Sequence, residues 1–302
     1  MSDTIKELNG IIIPLVTPLD YENNIDKKSL KKLIDYCIEG GAAGIFVLGS
    51  CGEGSILSTE KKKEVVRYAL EYTKEKVPLL VGVLESSSEK VLGEIKSYEE
   101  LGAAYFVSTV PYYISPGDQE EILKHYRFLA ENIKGKLIAY NIPSYTHCDI
   151  MPDTMKKLLE ISNLIAVKDS TDRWDLFQKA LFLNKTGGII SGNEDLCGAA
   201  LLFGAEGCVP CLANAYPKFY SKLYMYAKEK NIKKVIQYQE IIIKIKNVLN
   251  FAHSWIAAVK YLCARKGLIN PYMSYGIAEL SQEEVENIEK YLAENETLFT
   301  KI

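Results

Sequence analysis

Lys168 closes an apolar run, Asn163-Leu-Ile-Ala-Val-Lys168, and is followed at once by the turn-forming Asp169-Ser-Thr-Asp172. An ammonium at the end of a buried strand is unfavourable unless it is paired, or unless its pKa falls far enough for it to be neutral. A neutral amine in that place can attack a ketone and form a Schiff base. The ordinary alternative is a lysine whose charge reaches solvent, as most do. What separates the two is the company Lys168 keeps, and that depends on the elements around it.

Eight short apolar runs recur along the chain, at 11–16, 44–48, 79–83, 104–107, 137–140, 164–167, 188–190 and 207–209. Charged amphipathic stretches at 27–39, 59–73, 88–101, 118–132, 152–160, 172–183 and 195–203 lie between them. The runs are continuously apolar, the pattern of strands covered on both faces. Eight such strands alternating with helices predict an α/β fold, a parallel (β/α)8 TIM barrel, with an open doubly wound sheet as the alternative. Ser58 is an expected N-cap, and Pro152 stands at a first helical turn. After about Tyr216 the strand pattern stops. The reading is a barrel over 1–216 and a C-terminal helical extension over 217–302, with helices near 217–230, 233–249, 254–266 and 282–295.

In a barrel the C-terminal strand ends face the active site. Those ends carry Thr17-Pro-Leu, Gly49-Ser-Cys-Gly-Glu53, Pro111-Tyr-Tyr113, Tyr140-Asn-Ile-Pro143, Lys168 and Ser191-Gly-Asn-Glu-Asp195. Hydroxyls, an amine, a glycine-flanked loop and two carboxylates thus converge on one rim. The amides of Ser50 and Cys51 can form a nest for a carboxylate, and the phenol of Tyr140 can relay protons. Singly, each residue has a plain structural reading; together with Lys168 they form a chemical set.

Composition narrows the partners. Of 302 residues, 36 are Lys or Arg and 39 Asp or Glu, a net charge of -3 that gives no footprint for nucleic acid. The runs Lys27-Lys28, Lys31-Lys32 and Lys61-Lys62-Lys63 read as solvated helix faces. No stretch approaches membrane-spanning length and the N-terminus lacks a signal-peptide pattern. Seven cysteines without framework spacing predict reduced thiols and a cytoplasmic setting. Cys208-Val-Pro-Cys211 is an isolated CxxC, and only His125, His147 and His253 are present, so no metal site is expected.

Gly10-x3-Pro-x2-Thr17-Pro18, Gly49-Ser-x-Gly-Glu53, Pro111-Tyr-Tyr113, Tyr140-Asn-x-Pro143 and Val167-Lys168-Asp169 resemble, in order, the motifs of the dihydrodipicolinate synthase/N-acetylneuraminate lyase family. Ser191-Gly192 and Ala258-Val-Lys-Tyr261 fit it as well. The resemblance implies a class I, pyruvate-dependent aldolase with no cofactor beyond a covalent lysine Schiff base, assembled as a homotetramer. It assigns the Schiff base to Lys168 and the proton relay to Tyr140 and Ser50. Tyr113 would reach across a dimer interface. Cys51 would help hold the keto-acid carboxylate, and the Val209 carbonyl and Gly192 would line the site.

Three departures bear on the aldehyde half. Tyr145 stands where the synthases carry an arginine for the aldehyde substrate's carboxylate, which removes a bidentate partner. Cys51 replaces a hydroxyl residue with a weaker donor. Ser170 supplies a hydroxyl two residues after the lysine, as in the sugar-acid lyases. Glu194 and Asp195 lie where N-acetylneuraminate lyases hold a polyol tail, although Glu194 also suits a helix N-terminus. Positions near Thr59, Ser86 and Lys90 do not match the synthases inhibited by lysine. The expectation is therefore a lyase acting on a 2-keto-3-deoxy sugar acid or N-acetylneuraminate-like substrate. The alternatives are a synthase condensing pyruvate with aspartate semialdehyde, and a catalytically silent keto-acid sensor.

Overall fold

The computed structural model describes residues 8–184 and 187–299. Eight parallel strands close into one barrel in chain order: β1 (Gly10–Pro14), β2 (Gly44–Val47), β3 (Leu79–Val83), β4 (Tyr105–Thr109), β5 (Lys136–Asn141), β6 (Leu164–Asp169), β7 (Ile189–Ser191) and β8 (Gly207–Cys208). Pairing of β8 with β1, Gly10 against Gly207, completes the ring. The continuous apolarity of the strands has a direct cause. Ile12, Phe46, Leu80, Val107, Ile138 and Ile190 fill the barrel interior. Their neighbours Ile11, Ile13, Ile45, Val47, Val81 and Ile189 pack outward under the helices. Both faces are dry, and each fully buried Ile, Leu or Val stabilises by roughly 1.5–3 kcal/mol.

The helices are α1 (Lys27–Glu39), α2 (Thr59–Thr73), α3 (Ser88–Glu99), α4 (Gln119–Asn132), α5 (Pro143–Thr146), α6 (Pro152–Leu159), α7 (Trp174–Leu183) and α8 (Cys197–Leu202) around the barrel. They are followed by α9 (Pro217–Lys228), α10 (Ile232–Lys246), α11 (Trp255–Arg265), α12 (Gln282–Glu294) and α13 (Glu296–Phe299). Side chains of Asp26, Ser58, Ser87 and Asp118 accept the amides that open α1 to α4, each cap worth about 1 kcal/mol. Ser281 and Glu284 form a reciprocal capping box at α12.

Four expectations are revised. The stretch 195–203 is a 3-10 turn, Glu194–Leu196, running into α8, and 233–249 ends as α10 with a 3-10 turn over Asn247–Phe251. Helix α5 is additional; Pro143 opens it and the left-handed His147 stops it. Finally, the lysine run of α2 is not wholly solvated. Lys62 is buried because its ammonium bridges Glu85 (2.9 Å) and Glu94 (2.6 Å) on the neighbouring β3–α3 unit. No helix among the described residues is long and apolar enough to cross a membrane.

Candidate active site

The C-terminal strand ends enclose a cavity of about 420 Å³, lined by Ser50, Cys51, Tyr140, Tyr145, Lys168, Ser170, Gly192, Glu194 and Val209 among others. Of the residues selected from the sequence, Tyr113 stands apart. It is 92% exposed, in the left-handed region (φ 73°), and outside the cavity of its own chain.

Lys168 is the penultimate residue of β6 and only 6% exposed. Among the described residues its ammonium has no carboxylate partner. It sits 3.6 Å from the ring centroid of Tyr140 and 5.2 Å from that of Phe46, an arrangement in which aromatic faces stand in for a counter-ion. Strand register fixes this: Tyr140 of β5 is paired with Lys168 of β6. Asp169, next in the chain, points away from the amine and accepts from the Thr171 amide (2.9 Å), ordering the turn after β6. Burial raises its carboxyl pKa, opposed by that amide.

Gly192 makes the approach of β7 possible. A Cβ there would lie 2.0 Å from Ser170 Oγ and 3.0 Å from Lys168 Cε, so any side chain would displace both. Ser170 is held by its own amide, which donates to the Asn141 carbonyl (2.9 Å).

The Gly49–Gly54 loop is fixed from several sides. Leu48 and Glu53 both adopt positive φ (57° and 58°), a conformation that side chains disfavour and surroundings must hold. Gly54 is required because a Cβ would come within 1.9 Å of the Leu48 carbonyl oxygen. Thr17 Oγ1 donates to the Gly52 carbonyl (2.6 Å). Asn214 Nδ2 donates to the carbonyls of Pro14 (2.9 Å) and Cys211 (2.8 Å), and its Oδ1 accepts from Val16 N (3.0 Å). Glu53 reaches into the C-terminal helices, where it meets Lys260 and the Ser274 amide. Ser50 and Cys51 are thus presented to the cavity on a rigid turn. Burial pushes the Cys51 thiol well above its ordinary pKa, leaving it a neutral packing group.

Glu194 lines the cavity, but its carboxylate is already engaged. Oε1 accepts from Leu212 N (2.9 Å) and Tyr220 Oη (3.0 Å), and Cys211 Sγ lies 3.5 Å from Oε2. Burial raises its pKa against those donors. These bonds tie the 3-10 turn after β7 to the segment after β8. Tyr145 is likewise tethered: its hydroxyl accepts from Trp255 Nε1 (3.1 Å).

The sequence reading missed what the C-terminal helices contribute. Lys246, Leu249, Asn250 and Trp255 close one side of the cavity. No strand-end logic finds them, because they come from helices that fold back over the barrel mouth. Phe46 was legible as part of a strand, but its inward direction was not. The seven cysteines are free thiols. Among the described residues no group of three or more His, Cys, Asp or Glu side chains is placed to hold a metal ion.

Comparison with known proteins matches residues 7–295 to the model of the dihydrodipicolinate synthetase family. The 4-hydroxy-tetrahydrodipicolinate synthase of Sodalis glossinidius is 32% identical over 261 residues, covering 86% of this chain and 89% of that protein. That of Legionella pneumophila is 30% identical over 286 residues, covering 94% and 97%. A solved structure of the chloride-inhibited dihydrodipicolinate synthase of Acinetobacter baumannii, complexed with pyruvate, superposes with a TM-score of 0.89 at 29% identity, covering 95% of this chain and 98% of that one.

Proposed function

The chain belongs to the dihydrodipicolinate synthetase family of pyruvate-dependent enzymes, and we propose that it joins pyruvate, held as a Schiff base on Lys168, to aspartate semialdehyde. The observation that carries the Schiff base is the buried, carboxylate-free Lys168 stacked on Tyr140. Attack by the Lys168 amine on the keto carbon, with loss of water, gives an iminium. That electron sink allows a proton to leave the adjacent methyl group, forming an enamine. The enamine carbon adds to the aldehyde carbon, and the aldehyde oxygen takes up a proton. The proton transfers are assigned to Tyr140, with Ser50 as its partner in the relay; both line the cavity. The Ser50 and Cys51 segment is assigned to the pyruvate carboxylate, with Val209 and Gly192 opposite.

The choice of aldehyde rests on the relatives, which carry the synthase name. They favour aspartate semialdehyde over the sugar-acid substrate that the sequence suggested. The sugar-acid reading keeps two observations in its favour: Tyr145, tethered to Trp255, occupies the position expected of an arginine, and the Ser170 hydroxyl residue lines the cavity. A panel decides between them. Turnover of pyruvate with aspartate semialdehyde supports the synthase. Cleavage of 2-keto-3-deoxy sugar acids without such turnover supports the lyase.

Tyr113 and its neighbour Ile114, 92% and 82% exposed, suit an interface with a second copy of the chain, in line with a homotetramer. The free thiols fit a reducing, cytoplasmic setting.

A further inference from the structure

Among the described residues, three charged side chains line the active cavity: Lys168, Glu194 and Lys246. On the Schiff-base reading, Lys168 is consumed as the iminium, and the Glu194 carboxylate is engaged with Leu212, Tyr220 and Cys211. Lys246 remains. It is the last residue of α10, and Asn250 follows four positions later in the 3-10 turn Asn247–Phe251. Both line the cavity. The Asn250 side-chain amide has no hydrogen-bond partner among the described residues. The Lys246 ammonium is ion-paired with Asp195, which holds it at the rim and leaves further N–H donors on the same nitrogen.

We propose that Lys246, assisted by Asn250, is a specificity-determining residue that receives a carboxylate on the aldehyde partner. Building on the pyruvate Schiff-base reading, this gives the cavity an anion receptor supplied by the C-terminal helices, on a wall where Tyr145 offers no charge. One ammonium and one amide can meet the two oxygens of a carboxylate. The Lys246 charge is also felt inside the cavity. Burial raises the pKa of Glu194 and Cys211, and Lys246 pulls both back down. Asp195 acts as a built-in competitor that tempers the receptor and keeps it from closing on any anion.

The test uses full-length enzyme reduced with borohydride in the presence of pyruvate, so that no turnover follows. Binding of succinic semialdehyde (carboxylate-bearing) and glyceraldehyde (neutral) is then measured calorimetrically. Lys246→Met should weaken succinic semialdehyde by about tenfold or more, the loss of a charged hydrogen bond, and leave glyceraldehyde unchanged. Asp195→Asn should strengthen succinic semialdehyde several-fold, the opposite sign. A purely structural ion pair would move both variants in the same direction, and that result overturns the proposal. Equal weakening of both aldehydes by Lys246→Met overturns it too, as does a wild-type enzyme with no preference for the anion. Failure of pyruvate to be trapped at all refutes the Schiff-base reading instead, so the two failures are distinguishable.

Discussion

Lys260 Nζ lies 2.5 Å from Glu53 Oε1, and both side chains are fully excluded from solvent. Glu53 ends the loop that presents Ser50 and Cys51, and Lys260 belongs to α11. The pair therefore fastens that loop to the C-terminal helices. It is completed by the Ser274 amide on Glu53 Oε2 (2.8 Å) and the Tyr272 carbonyl on Lys260 (2.7 Å). Burial lowers the Lys260 pKa and Glu53 opposes that shift, as expected of a buried ammonium that stays charged only through its partner.

Breaking this pair from one side strands a charge in the interior. Glu53→Gln and Lys260→Met are each expected to cost roughly 3–5 kcal/mol. The double variant should lose clearly less than the sum of the two. Urea unfolding of the four proteins measures this. Additive losses would mean that the two groups are not coupled.

Gly192→Ala tests the close approach of β7 to the site. A Cβ 2.0 Å from Ser170 Oγ and 3.0 Å from Lys168 Cε must move the amine. Displacements of this size at a reacting group cost on the order of 10²-fold in rate. We expect that loss in kcat/KM with the melting temperature nearly unchanged. Full activity would show that the amine is not confined as described.

Tyr140→Phe keeps the ring on which Lys168 rests and removes the phenol. Lys168 should still be trapped by pyruvate and borohydride. The kcat should fall by about 10²–10⁴-fold, the usual range for a lost general acid–base group. An unchanged kcat would assign the proton transfers elsewhere.

His125 gives the protein an acid-sensitive component of stability. Burial pulls its imidazole down to about 4, and Ser88 Oγ lies 2.8 Å from its Nδ1. The native state therefore holds it neutral at pH values where the unfolded chain, titrating near 6.5, takes up a proton. Stability from this residue is present above about pH 6.5 and falls as the pH drops from there toward 4, by on the order of 3 kcal/mol in total. His125→Gln should flatten that part of the stability–pH curve. Identical slopes for both proteins between pH 6.5 and 4 would contradict the assignment.

The barrel was legible because each strand carries a continuous apolar run, with Ile11, Ile12 and Ile13 serving two dry layers at once. The floor of the site was legible for the same reason. Once eight strands are counted, Lys168, Tyr140, Ser50 and Gly192 fall on one rim by register. What stayed hidden came from long-range folding back of the chain. The Glu53–Lys260 pair spans some two hundred positions. Lys246, Asn250 and Trp255 reach the cavity only because α10 and α11 pack over the barrel mouth. Lys62 looked solvated because its partners, Glu85 and Glu94, lie on another βα unit. Glu194 was read by its position at a strand end, whereas its hydrogen-bond partners lie beyond β8, where no local pattern announces them.

The most direct test is covalent. Incubation with pyruvate and borohydride, followed by peptide mass spectrometry, is predicted to give one stoichiometric reduced pyruvyl adduct on the peptide containing Lys168. Lys168→Ala should abolish it, and Lys246→Met should leave it in place. An adduct on another lysine, or none under conditions where the protein is folded, would contradict the account.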